Sequence, residues 1–111
     1  MYRVYVIELS RSVFTENAKF RAANPQYNGV LECLYVGMTS KTPEERLKQH
    51  LGGLRSKKGH NLSSRIVRKY GKFLRPSLYA QIEPMNRSDA LKTEGELALQ
   101  LRKQRYAVWY N

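Results

Sequence analysis

A chain of 111 residues is long enough for one compact domain with a modest core and too short for two ordinary domains. Its 20 lysine and arginine residues against 9 aspartate and glutamate residues give a formal net charge of +11. Such a charge predicts a polyanionic partner, and nucleic acid is the first candidate because neutralising phosphates releases counterions. An anionic membrane surface ranks lower, because the basic residues are spread from Arg3 to Arg105 rather than gathered on one helix face.

The cysteine content and the hydropathy of the chain indicate in which cellular compartment the protein is expected. Cys33 is the single cysteine, so no internal disulfide is expected, which fits a reducing environment. No stretch approaches the length of a membrane-spanning helix, and residues 1–6 lack the apolar run of a secretory signal. We therefore expect a cytoplasmic protein with no membrane partner and a single domain over residues 1–111.

Two strands are predicted in the first third of the chain. Val4 to Leu9 is β-branched and aromatic enough for the first strand, and Glu32 to Gly37 predicts the second. Residues 10–30 lack this pattern, although residues 18–23 could form a helical turn that Asn24-Pro25 ends. The two strands would form a hairpin with an unusually long connection, so residues 10–30 are interpreted as an insertion.

The next segment carries strong helix signals. Thr42 is a good N-cap residue, Pro43 suits the first helical position, and Glu45 completes a capping box. Gly52-Gly53 is a typical helix end. The sequence therefore predicts a helix from Pro43 to Leu51.

Three further elements are predicted in the second half. After a polar, basic loop over residues 55–60, a helix is expected from Asn61 to Tyr70. Alternating apolar residues predict a third strand from Ser77 to Glu83, and Ser88 is expected to cap a helix that ends near Lys103. The apolar tail, residues 106–110, should dock on the body. The order predicts an α+β fold with a small, mainly antiparallel three-stranded sheet flanked by helices.

Glu94 falls within the apolar stripe of the last predicted helix. A buried carboxylate is costly unless a cation, a metal ion or a cleft compensates its charge. A buried salt bridge to an arginine, or a helix edge that leaves the carboxylate in water, would also explain it. The residues of the expected stripe are Ala90, Leu91, Leu97, Ala98 and Leu101.

Arg46 and His50 lie at positions i and i+4 of the first long helix, so both should project from one side. A guanidinium group matches phosphate oxygens, and a histidine can transfer protons or bind phosphate. An ordinary surface arginine and a helix-end histidine are the simpler interpretations. A zinc site with Cys33 and His60 is excluded by poor ligand number and spacing.

Tyr5 and Tyr35 occupy neighbouring predicted strands, and both rings can lie on one face of the hairpin. Core tyrosines are the usual explanation. A phenol can also hydrogen-bond, or lose its proton when a cation lies close and stabilises the phenolate.

These residues together resemble the GIY-YIG nuclease superfamily over most of the chain. Arg3-Val4-Tyr5 corresponds to the first strand motif, Tyr35-Val36-Gly37 to the second, and Arg46 with His50 to the helix motif. Glu94 takes the place of the metal-binding glutamate, and Asn111 corresponds to an asparagine that many members have near the end of the module.

The chain departs from the family pattern in two ways. Arg3 replaces a glycine of the first motif, and 29 residues separate Tyr5 from Tyr35, where members usually have a short connection. The insertion could be a flap that contacts substrate, or Tyr5 could be the wrong counterpart, with Tyr2 as the near competitor.

The resemblance implies a metal-dependent endonuclease that cuts DNA by attack of water on phosphorus. Glu94 would hold one divalent ion, Mg²⁺ or Mn²⁺, and Arg46 would neutralise the scissile phosphate. Tyr5, slightly favoured, or Tyr35 would orient or deprotonate the water, and His50 would bind phosphate or assist proton transfer. The residues expected to contact nucleic acid are Arg55, Lys57, Lys58, His60 and Arg65.

Two other functions fit parts of the pattern. A non-catalytic nucleic-acid-binding module with the same fold would keep the basic surface, but it needs no acid among its cations. A basic structural or ribosome-associated protein would explain the charge alone. A homodimer or an accessory targeting partner would be compatible with the nuclease.

Overall fold

The computed structural model of the chain describes residues 1–52 and 62–110, without the side chains of residues 62–64. It contains four strands, which are β1 (Arg3–Leu9), β2 (Cys33–Thr39), β3 (Gly71–Leu74) and β4 (Ala107–Tyr110). The helices are α1 (Ser12–Glu16), α2 (Ala18–Ala22), α3 (Pro43–Leu51), α4 (Leu62–Tyr70) and α5 (Arg87–Lys103), with a short 3-10 helix over Pro76–Leu78.

The strands form one sheet in the order β3-β1-β2-β4. β1 is antiparallel to both β2 and β3, whereas β4 runs parallel to β2. The predicted α+β class and the mainly antiparallel sheet are confirmed, with one strand more than expected. The apolar tail does not merely dock on the body but extends the sheet, because Ala107–Tyr110 pairs with the first half of β2.

The predicted position of the third strand is wrong. Residues 77–83 form part of the 3-10 helix and the turns after it, in which the Tyr79 N–H and the Ala80 N–H both donate to the Pro76 carbonyl. The strand that completes the sheet is β3, which begins directly after α4. Alternation misled the prediction because Tyr79 is the buried side chain of that segment, while neighbouring Leu78 and Ile82 are only partly buried.

The helix signals were more reliable than the strand alternation. The bounds of α3 are as predicted, and the Thr42 hydroxyl accepts the Glu45 N–H at its amino end. The long helix α5 starts earlier than expected, because Asn86 rather than Ser88 is the N-cap and accepts the Asp89 N–H at 2.8 Å. Asparagine caps as well as serine does, so the sequence offered two equivalent starts.

The buried face of α5 also differs from the predicted stripe. Leu91 is 49% exposed, and Leu97 is only partly buried. The four buried residues recur at the spacing of one helix face, which packs on β1, β2 and β4, and they are Ala90, Glu94, Ala98 and Leu101.

The segment predicted as an insertion contains α1, which was not predicted, and α2, which matches the expected helical turn. Both helices are five residues long, too short for a clear periodic signal. Val13 and Phe20 are fully buried in the main core, so these helices pack against the sheet and its neighbours. Within residues 1–52 and 62–110, no helix is long and apolar enough to cross a membrane.

Gly71 joins α4 to β3 where the backbone leaves no room for a side chain. A Cβ atom there would overlap the Val67 carbonyl oxygen, whereas a Cβ atom on Gly95 of α5 would meet nothing closer than 3.8 Å. We expect Gly71→Ala to lower the free energy of unfolding by about 1–3 kcal/mol. Gly95→Ala, the matched variant in a helix interior, should raise it by about 0.5–1 kcal/mol. Urea unfolding of both variants checks this, and a stable Gly71→Ala protein would contradict the close packing.

Candidate active site

The register of the central hairpin brings the two candidate tyrosines together. Tyr5 of β1 pairs with Gly37 of β2, and Tyr35 lies two residues before Gly37 on the same face. The ring centroids of Tyr5 and Tyr35 are 6.2 Å apart with the planes tilted by 52°. The expectation that both rings lie on one face of the hairpin is confirmed.

Gly37 provides the space in which these rings lie. A Cβ atom at this position would be 2.7 Å from the Tyr5 hydroxyl oxygen and 2.8 Å from Tyr35 Cε2. Real side chains do not tolerate such distances, so any larger residue would displace the phenol. In the sequence Gly37 stands out only as the last residue of the Tyr35-Val36-Gly37 motif, and its role in making room for the rings becomes visible in the structure. The signal was present as a small residue opposite a tyrosine in a predicted hairpin.

His50 of α3 lies against both rings. Its Nε2 is 3.4 Å from the Tyr5 hydroxyl, and its ring meets the Tyr35 ring edge-on with centroids 6.0 Å apart. Burial first, and then the nearby Arg46 charge, lower the pKa of His50 from 6.5 to about 4. His50 is therefore a neutral imidazole at neutral pH, with one nitrogen to donate and one to accept a hydrogen bond.

Arg46 is half-buried one turn before His50, and its Nη1 donates to Gln49 at 3.3 Å. Burial, and then the neighbouring Tyr35 hydroxyl, raise the pKa of the Tyr5 phenol by more than the Arg46 charge and hydrogen bond lower it. The net pKa of Tyr5 lies well above its ordinary value of 10.0. Burial therefore outweighs the effect of Arg46, and Tyr5 is a neutral phenol at neutral pH.

Glu94 is 1% exposed on the face of α5 that packs on the sheet. The next residue, Gly95, faces Tyr110, whose Cε2 would lie 3.8 Å from a Cβ atom at that position. Tyr110 pairs with Val36, between Tyr35 and Gly37 in the sequence of β2. This turn of α5 therefore lies beside the part of β2 that carries the aromatic site.

The side chains around Glu94 fit a metal ion that also binds a phosphate of the substrate. Among the residues that the structure describes, no group of three or more histidine, cysteine, aspartate or glutamate side chains could hold a metal ion. A single buried carboxylate suits a hard ion such as Mg²⁺, which keeps several waters and shares its coordination with substrate phosphate. The donor set thus fits an ion that binds together with a phosphate.

Of the residues expected to contact nucleic acid, Arg65 is exposed on α4, which packs against α3. Arg68 and Lys69 are also exposed on α4, and Lys69 is 3.5 Å from Glu16. The expected residues that lie outside the described part of the chain are Arg55, Lys57, Lys58 and His60, and Asn111 of the family comparison lies outside it too.

Comparison with protein families decides the classification. The model of the GIY-YIG catalytic domain matches residues 27–107, which is most of the chain. The chain belongs to the GIY-YIG family. The match includes Tyr35, Arg46, His50 and Glu94, while Tyr5 on β1 lies before it. No curated protein and no solved structure matches the chain.

Membership of the GIY-YIG family implies nuclease activity in general, with DNA as the substrate. Members of the family are generally endonucleases and typically use divalent metal ions. The recognition made from the sequence is therefore confirmed, and so is the fold class.

The lowered pKa of His50 links stability to pH. In the unfolded chain this histidine binds a proton near pH 6.5, whereas in the folded protein it does so near pH 4. The folded state should therefore lose up to about 3 kcal/mol from this group as the pH falls from 6.5 to 4. We expect urea unfolding between pH 7 and pH 4 to show a smaller loss for His50→Gln, which cannot titrate. Equal losses in both proteins would mean that His50 is not held neutral.

The space above Gly37 predicts a second effect. Gly37→Ala places a methyl group against both tyrosine rings and should move the Tyr5 hydroxyl away from His50. We expect a loss of about 1–3 kcal/mol in unfolding free energy and slower DNA cleavage at an unchanged dissociation constant for DNA. Tyr5→Phe, which removes the hydroxyl alone, is the matched variant and should slow cleavage without the loss from overpacking. Normal cleavage by Gly37→Ala would contradict this arrangement.

Proposed function

We propose that the chain is an endonuclease that hydrolyses DNA phosphodiester bonds with one divalent metal ion, Mg²⁺ or Mn²⁺, and an activated water. The observation that carries this proposal is the packing of Tyr5 and Tyr35 over Gly37 and of His50 against both rings, with Arg46 on the same helix as His50. A core position needs no such combination of phenols, imidazole and guanidinium. Membership of the GIY-YIG family supports the same reaction class.

Glu94 is the residue that would hold the ion. Its burial on α5 places a carboxylate in a site of low dielectric, where charge interactions are stronger than in water. The chemistry supplied there by a divalent ion is polarisation of the phosphate and stabilisation of the leaving oxygen. The scissile phosphate would complete the coordination that one carboxylate leaves open.

Arg46 would bind the scissile phosphate and neutralise the charge that grows on it in the transition state. Its half-buried position limits competition from water for the phosphate. Burial and, to a smaller extent, the Arg46 charge lower the pKa of His50, so Arg46 would act beside a neutral imidazole.

Tyr5 would orient the attacking water as a neutral phenol rather than as a phenolate base. The raised pKa of Tyr5 supports this role, because the phenol keeps its proton at neutral pH. The hydroxyl can donate to His50 Nε2 and accept a hydrogen bond from water on its oxygen lone pair. Tyr35, packed against the same histidine, would hold the imidazole in place and contact the phosphate.

The exposed basic side chains would guide the DNA backbone. Arg65 and Arg68 extend from α4 beside α3, and the same role is proposed for Arg55, Lys57, Lys58 and His60. Phosphate contacts of this kind fix the position of the nucleic acid without reading its sequence.

Cleavage assays that compare the unmodified chain with Glu94→Gln, in which a neutral amide replaces the carboxylate, test the proposal. We expect the unmodified chain to cut at least one member of a panel of branched, single-stranded and duplex DNA when Mg²⁺ or Mn²⁺ is present. Glu94→Gln should abolish cleavage and keep DNA binding, because it removes the charge and preserves the shape. Arg46→Ala should slow cleavage by roughly 100-fold or more, as expected for a lost transition-state contact.

Glu96→Gln is the matched control, because Glu96 lies exposed on the same helix and its variant should cleave normally. Binding of every DNA without cleavage of any would favour the non-catalytic binding module. Cleavage that survives Glu94→Gln would remove the metal from this residue.

A further inference from the structure

Two polar side chains of residues 10–30 form hydrogen bonds with β4 and with the residue directly before it. Asn24 is 1% exposed; its Oδ1 accepts the Val108 N–H at 2.7 Å, and its Nδ2 donates to the Phe20 carbonyl at 2.8 Å. Gln26 Nε2 donates to the Tyr106 carbonyl at 2.9 Å and to Asn24 Oδ1 at 3.2 Å. The bonds to Val108 and Tyr106 connect residues 84 and 80 positions apart in the chain, which no local turn requires.

An aromatic contact adds to these bonds. Phe20 of α2 stacks on Trp109 of β4, with ring centroids 6.4 Å apart and planes 26° from parallel. β4 is a four-residue strand at the edge of the sheet. The Asn24 side chain gives the Val108 N–H the partner that a further strand would otherwise supply.

The strand β4 contacts both β2, which carries Tyr35 and Gly37, and α5, which carries Glu94. On one side Trp109 pairs with Tyr35 and Tyr110 pairs with Val36. On the other side the Tyr110 ring packs beside Gly95, the residue that follows Glu94. β4 therefore contacts both β2, the strand of Tyr35 and Gly37, and α5, the helix of the candidate metal ligand.

Arg102 of α5 strengthens the second contact. Its guanidinium carbon lies 5.3 Å from the centroid of the Tyr110 ring, and its Nη2 donates to the Val108 carbonyl at 2.8 Å. Both backbone polar groups of Val108 are thus hydrogen-bonded to side chains. Its N–H donates to Asn24, and its carbonyl oxygen accepts from Arg102. A shift of β4 would be passed to α5 through these contacts.

We propose that Asn24 and Gln26 are positioning residues, which fix β4 and thereby set the place of Glu94 relative to Tyr35 and Gly37. The inference rests on the proposed function in taking Glu94 as the metal ligand. It assigns the insertion the role of a brace for the catalytic centre rather than that of a flap over the substrate. The brace lies at the β4 edge of the sheet, whereas Arg65 and Arg68, which are proposed to guide DNA, lie on α4.

A role in stability alone makes a different prediction. In that case the variants would unfold more easily, but each folded molecule would keep its structure around Gly95 and its requirement for metal. A positioning role changes both at temperatures where every variant is folded. Displaced outer-shell groups typically weaken metal affinity or activity by about 10–100-fold.

The test compares Asn24→Ala and Gln26→Ala with Asn28→Ala, all measured well below their unfolding temperatures. Asn28 is the matched control, because its side chain accepts the nearby Val30 N–H in an exposed loop. Trp109 is the single tryptophan, so its emission reports on β4 directly. The amide resonances of Gly95 and Gly37 report on the two sides of the site.

We expect Asn24→Ala to shift the Trp109 emission to longer wavelength and to move the Gly95 and Gly37 resonances. The Mn²⁺ concentration for half-maximal cleavage should rise roughly 10-fold, while the dissociation constant for DNA stays within about twofold because the basic surface is unchanged. Gln26→Ala should cause smaller changes of the same kind, and Asn28→Ala none.

A moved Trp109 with unmoved Gly95 and Gly37 resonances and an unchanged Mn²⁺ requirement would overturn the proposal. If Asn24→Ala does not fold, Gln26→Ala decides, because it keeps the bond from Val108 to Asn24. If the unmodified chain cuts no DNA, the proposed function fails, and the Gly95 and Gly37 resonances still decide the brace. If the Gly95 and Gly37 resonances move together with the Trp109 emission, the positioning role of Asn24 is supported. If they stay in place while the Trp109 emission shifts, that role is rejected.

Discussion

The antiparallel register of β1 and β2 is the constraint on which the candidate site depends. It places Tyr5 opposite Gly37, the residue whose missing side chain leaves room for the Tyr5 phenol and the edge of Tyr35. A slip of one residue would turn both rings to the other face of the sheet. Backbone pairing therefore brings the two tyrosines together. The helix α3 then places His50 and Arg46 beside them.

Burial determines the protonation states at this site more than charge does. The protein carries a formal charge of +11, yet the imidazole that contacts both tyrosines is uncharged, because desolvation and Arg46 lower the pKa of His50. Desolvation also outweighs Arg46 at Tyr5 and keeps the phenol protonated. Arg46 therefore supplies the positive charge beside two neutral partners, an arrangement suited to holding a phosphate while a polar, uncharged pair orients water.

The two edge strands, β3 and β4, show why local sequence patterns do not suffice to predict every strand of the sheet. The α3 helix was predicted to the residue because its cap, its first-turn proline and its end are all local signals. The third strand was placed wrongly because alternation in residues 77–83 has no partner strand, whereas the short β3 is created by pairing with β1. Likewise β4 exists through its pairing with β2 and through Asn24, which lies 84 residues away in the chain.

The sequence by itself determined the α+β class, the central hairpin, α3 and the candidate residues Tyr5, Tyr35, Arg46, His50 and Glu94, because motif spacing and helix caps are properties of neighbouring residues. Tertiary structure alone decided the sign of the pKa shift at Tyr5 and the neutral state of His50, since both depend on which groups exclude water. It also decided that the insertion binds β4, because such a contact arises only when distant segments pack together and satisfy each other's backbone groups.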